Sequence, residues 1–141
     1  VWPYLGHTFK SLKALGSIMT GSAYPGLWDL HYDAHDDSLH SMAEAYTRIY
    51  INTCLENKVN VLLNIVNGGK CDGIVYHLNR SCKLMSFLNV ETAEIIKEKT
   101  GLPYVSFDGD QTDPRNFAPA QFDTRVQALA EMMEANLAAA E

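Results

Sequence analysis

A chain of 141 residues, 47% apolar and 20% charged, has enough material for one domain with a core and gives no reason to expect two. Its net charge of −6, with eleven Lys and Arg spread thinly and forming no basic run, argues against a nucleic-acid surface. No apolar run approaches the roughly 20 residues that span a bilayer, and three cysteines without close spacing suit a reducing compartment, the cytoplasm by default, rather than a disulfide scaffold.

The chain begins at Val1 with no signal peptide, which carries the expectation of a piece cut from a longer polypeptide. Residues 1–37 read as an irregular leading segment: Val1 to Tyr4 as a strand end, then a short helix over Thr8 to Met19 on the stripe Phe9, Leu12, Leu15, Ile18 and Met19. Tyr24, Trp28 and Tyr32 recur every four residues, but Pro25 and Gly26 break a continuous helix. These rings read either as aromatic packing over a core edge or as a substrate-covering loop with glycine hinges. Asp36, Asp37 and Ser38 are N-cap candidates for a long helix, or two in succession, ending at Gly68-Gly69; Cys54 falls inside that pattern as a small packed thiol.

A strand over Asp72 to Tyr76 follows, then a polar knot from His77 to Lys83. Glu91 to Thr100 reads as an amphipathic helix with Gly101 as its C-cap, and Tyr104 to Phe107 as a second strand running into the acidic loop DGDQTDPRN. Pro119 fits the first turn of a terminal helix whose apolar face is Phe122, Val126, Leu129, Met133 and Leu137, with a fraying tail after Asn136. The order helix, strand, helix, strand, helix specifies an α/β layer fold with parallel strands.

In such a sheet ligands bind beyond the carboxyl ends of the strands, so His77 to Lys83 and Asp108 to Arg115 are expected along one edge. Cys82 lies there between Arg80 and Lys83. A helix starting near Ser81 to Lys83 would add its positive end and favour the thiolate that metal ligation or nucleophilic attack requires; the bland alternative is a packed thiol. Cys71 and Cys82 flank about six extended residues, roughly 20 Å at ~3.3 Å per residue, and cannot share a metal centre. His77 with Cys82 is a candidate Cys-His nucleophilic pair, though no third residue orients the imidazole. Asp108, Asp110 and Asp113 have the composition of a hard-cation site without calcium-loop spacing, and read better as turn caps that hold Arg115.

The runs CDGIVYHLNRSCKLMS and PYVSFDGDQTDPRNFAPAQFDTRVQALAEMM resemble the 2-hydroxyacyl-CoA dehydratases, a family related to benzoyl-CoA reductase. The run PYLGHTFKSLKALGSIMTGSAYPGLWDLHYD looks like the alpha subunit of 2-hydroxyglutaryl-CoA dehydratase. The resemblance covers nearly the whole chain and implies a flavodoxin-like three-layer domain, a short parallel sheet flanked by helices, from the C-terminal part of a subunit whose N-terminal portion is absent. It also implies a [4Fe-4S] cluster held by three cysteines, of which only Cys82, in the NRSCK motif, is a match here. Arg80, Ser81 and Lys83 stand close enough in sequence to tune the cluster or meet CoA phosphate or substrate carboxylate, and His77, Asp108 and Gln111 are further candidates for cofactor contacts.

The mechanism so implied is reductive. An ATP-hydrolysing activator protein delivers one electron, a ketyl radical anion expels the 2-hydroxyl, and the electron returns as the enoyl-CoA forms. Implied partners are a beta subunit, the activator and a 2-hydroxyacyl-CoA; a flavin is also conceivable. The alternatives are a benzoyl-CoA-reductase-like subunit, a non-catalytic interaction domain that kept the fold, and a Cys-His hydrolase.

Overall fold

The computed structural model describes residues 5–26, 28–34, 37–110 and 112–140. The expectations for Val1 to Tyr4, Asp36 and Gln111 lie outside them. Two compact units emerge: Thr20–Lys70 on one hand, Val1–Met19 with Cys71–Glu141 on the other.

The second unit carries the parallel sheet. Strand β1 (Ile74–Asn79) pairs with β2 (Tyr104–Gly109) residue for residue, Ile74 opposite Tyr104 and Asn79 opposite Gly109. Both strands are longer than the apolar runs suggest, because His77, Leu78 and Asn79 and then Asp108 and Gly109 continue the ladder. The polar knot therefore starts as strand. Pairing is long-range and satisfies backbone groups whatever the side chains, so a polar strand end leaves little local signature.

Alternation along the strands sends Val75 and Phe107 to one face and Tyr76 and Tyr104 to the other. On the first face Phe107 packs edge-on to Phe122 at 4.9 Å, with Val126 completing a buried cluster that Leu12, Leu15 and Phe117 flank. Those residues come from helix α1 (Leu5–Ala14) and from α7 (Pro119–Ala140), whose face Phe122, Val126 and Leu129 is at most 4% exposed. Each such side chain contributes about 1.5–3 kcal/mol on burial. On the second face Tyr104 donates its hydroxyl to Glu94, and the ring lies under Lys97. Both partners sit on a helix spanning Asn89–Thr100, whose Thr92, Ala93 and Ile96 are buried. Helices thus cover both faces of a two-stranded parallel sheet.

Several expectations move. Helix α1 stops at Ala14 and Gly16 turns left-handed at φ 69°, so Ile18 and Met19 leave the stripe and lie exposed. In the other unit, α2 is a single turn (Ala23–Gly26), and Trp28 and Tyr32 are exposed rather than packed over a core; Tyr24 meets the Trp28 ring edge-on at 6.4 Å. Asp37 caps α3 (Ser38–Arg48) by accepting from the Leu39 N–H. The three-four spacing beyond it spans two helices, because a 3-10 turn at Tyr50–Asn52 separates α3 from α4 (Leu55–Gly69). Cys54 is the exposed residue preceding α4, not a thiol packed within a helix. Helix α4 ends at Gly69 as the sequence suggests, with Lys70 rather than a glycine taking the left-handed conformation at φ 46°. Leu137 is exposed, while α7 continues past Asn136 to Ala140.

Candidate functional site

Because β1 and β2 end level with each other, their outgoing loops leave the sheet together. The Arg80 N–H donates to the Gly109 carbonyl at 2.9 Å, and the Arg80 guanidinium reaches the Asp108 carboxylate at 3.2 Å. The expected convergence of the two polar loops on one edge is therefore formed. The ion pair is exposed and worth little in stability. It does commit Arg80 to a neighbour inside the edge, so its charge is partly neutralised before any ligand arrives.

Past β1 the chain makes a tight turn in which the buried Asn79 is the hub. Its carbonyl accepts from the Cys82 N–H at 3.0 Å and from the Ser86 hydroxyl at 2.6 Å, and its side-chain oxygen accepts from Ser81 at 3.3 Å. Cys82 then precedes a one-turn helix α5 (Lys83–Ser86), followed by a break and α6 (Asn89–Thr100). The long helix expected to start beside Cys82 is interrupted at Phe87 and Leu88. Four residues align few peptide dipoles, so the helix-end contribution argued from the sequence is small. The Cys82 side chain is half-buried at the rim, with Ser81 and Lys83 exposed on either side.

His77 does not belong to this rim as a nucleophile's partner. It sits opposite Phe107 in the ladder and stacks on that ring at 4.9 Å with 21° between planes. Burial pushes its pKa down to about 4, against the pull of the nearby Asp110 charge in the other direction. A neutral imidazole committed to a ring stack is a poor general base at neutral pH, and the hydrolase reading has no support in this arrangement.

The residue that sequence reasoning undervalued is Asp110, only 5% exposed. One carboxylate oxygen accepts from the Thr112 N–H at 2.8 Å, the Thr112 hydroxyl at 2.9 Å and the Asp113 N–H at 3.2 Å. The carboxylate also accepts from the Ser81 hydroxyl across the edge, and these donors hold its pKa down at about 2. The turn-capping role foreseen for the aspartates is formed: Asp113 caps a 3-10 turn at Pro114–Asn116 and takes Arg115 in a two-pronged pair at 2.8 and 2.7 Å. The Ser81 link was not legible, since nothing local to DGDQTDPRN points to a serine nearly thirty residues earlier.

Do these residues suit an iron-sulfur cluster? Among the described residues no group of three or more His, Cys, Asp or Glu comes together. Cys71 and Cys82 flank opposite ends of β1, and Cys54 belongs to the other unit. A half-buried cysteine at a polar rim, beside backbone and hydroxyl donors, fits one corner of a thiolate-held cluster and supplies that corner alone. Among the described residues, no helix is long and apolar enough to cross a membrane.

Comparison with known proteins agrees with the motifs. The family model described as 2-hydroxyglutaryl-CoA dehydratase, D-component, matches residues 1–133. The chain is 83% identical over its whole length to the lactoyl-CoA dehydratase subunit alpha of Anaerotignum propionicum, covering 33% of that protein. It is 49% identical over 94% of its length to the (R)-2-hydroxyisocaproyl-CoA dehydratase alpha subunit of Clostridioides difficile, covering 32% of it. Against the (R)-2-hydroxyglutaryl-CoA dehydratase subunit alpha of Acidaminococcus fermentans the figures are 39%, 96% and 28%. The likeness to the hydroxyglutaryl enzyme read from the N-terminal run thus gives way to a much greater one to the lactoyl enzyme. The chain spans about a third of the length of the curated relatives it matches. With the loops, the rim cysteine and the match over residues 1–133 in agreement, the chain belongs to the 2-hydroxyglutaryl-CoA dehydratase D-component family.

Proposed function

We propose that this chain is the C-terminal α/β part of a 2-hydroxyacyl-CoA dehydratase alpha subunit, and that Cys82 holds one iron of a [4Fe-4S] cluster. The observation carrying this reading is the placement of Cys82: half-buried, at the carboxyl edge of a parallel sheet, on a turn fixed by Asn79. In the full subunit the two strands seen here form part of a larger flavodoxin-like sheet, and the cluster's other cysteines come from outside these residues. A 2-hydroxyacyl-CoA of the lactoyl type is the preferred substrate, on the strength of 83% identity to one named lactoyl enzyme against 39% to a hydroxyglutaryl one. The same contrast argues against aryl-CoA reduction.

The chemistry such a cluster supplies when bound is one-electron reduction of the thioester carbonyl, the ketyl route by which 2-hydroxyacyl-CoA becomes enoyl-CoA and water with the electron regained. This chain's residues do the rest locally. Asn79 fixes the turn so that the sulfur stays at the rim. Arg80, restrained by Asp108, and the exposed Lys83 give the edge positive charge suited to CoA phosphate or a thioester oxygen. The beta subunit and an ATP-dependent activator complete the reaction.

Iron analysis and electron paramagnetic resonance on the full-length subunit, wild type beside Cys82→Ala, test the assignment. The wild type is expected brown with a cluster signal, and the variant is expected to lose most of its iron. A colourless wild type would favour a non-catalytic interaction domain.

A further inference from the structure

Two loops leave the sheet edge, and only one carries the cysteine. The other, after β2, carries a carboxylate that is 5% exposed and yet donates nothing to the core: Asp110 faces the donors of its own turn and the hydroxyl of Ser81. Ser81 immediately precedes Cys82, within the turn closed by the Cys82 N–H on the Asn79 carbonyl. The Arg80 N–H to Gly109 bond and the Arg80–Asp108 pair tie the same two loops one residue further back. Of these ties, the carboxylate-to-hydroxyl one lies nearest the sulfur and is the one whose anionic partner is buried.

Burial has a second effect. An ionised group held in a low-dielectric pocket is screened less than one in water, so its field reaches neighbours that a surface carboxylate would not disturb. Arg80 is paired with Asp108, which leaves Asp110 as the buried negative charge of the edge.

We infer that Asp110 is a positioning residue: through Ser81 it fixes the turn that presents Cys82, and its buried charge sets the electrostatic environment of whatever that sulfur binds. The inference rests on the proposed ligand role of Cys82 only for its redox part; the positioning part concerns the thiol itself. A carboxylate beside a cluster disfavours added electrons, so Asp110 holds the potential low and makes the reduced centre a stronger donor. Charge removal raises the potential; loss of the tether loosens the cysteine turn.

The test uses the full-length subunit with Asp110→Asn, Ser81→Ala and Cys82→Ala. Asp110→Asn keeps the size of the side chain, and its cluster is expected to retain iron while the midpoint potential rises by about 59 mV, a tenfold change in the one-electron equilibrium. In the iron-free protein, alkylation of Cys82 by iodoacetamide is expected to run several-fold faster in both Asp110→Asn and Ser81→Ala. If Asp110→Asn fails to fold, Ser81→Ala, at an exposed position, carries the alkylation test alone. Unchanged potential together with unchanged alkylation overturns the inference. Iron retained in Cys82→Ala overturns the ligand assignment instead, and the alkylation rates then still decide whether Asp110 positions the cysteine.

Discussion

At the scale of single residues, His77 shows how a titratable side chain serves the fold. Stacked on Phe107 and partly buried, it has a pKa of about 4 against 6.5 for an ordinary histidine. Between those values the unfolded chain takes up a proton that the folded chain refuses, so the unfolded state gains as pH falls. The stability linked to His77 is fully present above about pH 6.5 and lost on acidification towards pH 4, up to roughly 3 kcal/mol in all. Asp110 acts in a lower window, between its ordinary 3.8 and about 2. Denaturant unfolding across pH 4 to 7 is expected to show a steep limb for the wild type and a flatter one for His77→Phe; identical limbs would remove His77 as the cause. The sequence marked His77 as polar and near Cys82, which was true, and as a loop residue, which was not. What it lacked was Phe107, thirty residues away, whose ring turns the imidazole into a piece of core.

At the scale of elements, local signals served wherever a cap or a period decided the outcome. Gly101 takes φ 72° at the end of α6, and its N–H donates to the Lys97 carbonyl at 2.8 Å. A Cβ there would meet nothing within 4 Å, so Gly101→Ala tests backbone conformation without a clash. A loss of about 1 kcal/mol is expected from the urea midpoint, with m unchanged. The face Phe122, Val126, Leu129 and the N-cap at Asp37 were legible for the same reason, since residues three or four apart settle them. Breaks were less so. The apolar spacing ran on from α3 to α4 although a 3-10 turn lies between, and the helix expected to begin at Cys82 snaps at Phe87 and Leu88. Periodicity records which side chains are apolar; it does not register where a chain must bend so that two helices can each find a surface.

At the scale of the whole molecule, the parallel sheet with helices on both faces follows from element order alone, and the loops beyond its carboxyl edge meet as that order requires. Substrate choice was not legible in the motifs, because the runs around Cys82 and Asp110 serve the family rather than one acyl chain. Similarity over the full chain discriminates better. The complete dehydratase, with its partner subunit and activator, is expected to convert lactoyl-CoA at least tenfold more efficiently than 2-hydroxyglutaryl-CoA, a gap of about 1.4 kcal/mol in transition-state binding. Equal kcat/KM values, or preference for the dicarboxylic substrate, would return the acyl chain to the reading drawn from the N-terminal run.

The flush ending of β1 against β2 has a further bearing on how this stretch tolerates change in length. Asn79 and Gly109 are a ladder pair, so the thread between Asn79 and Cys82 and the thread between Gly109 and Asp110 must each keep their span for the serine to meet the carboxylate. One residue added or lost inside either strand would invert every side chain beyond it, swapping the His77 face for the Tyr76 face. Indels are therefore affordable in the helical return between the strands and ruinous within a few positions of the sulfur. Lineages that diverge in this region should vary the former freely and keep the latter to the residue.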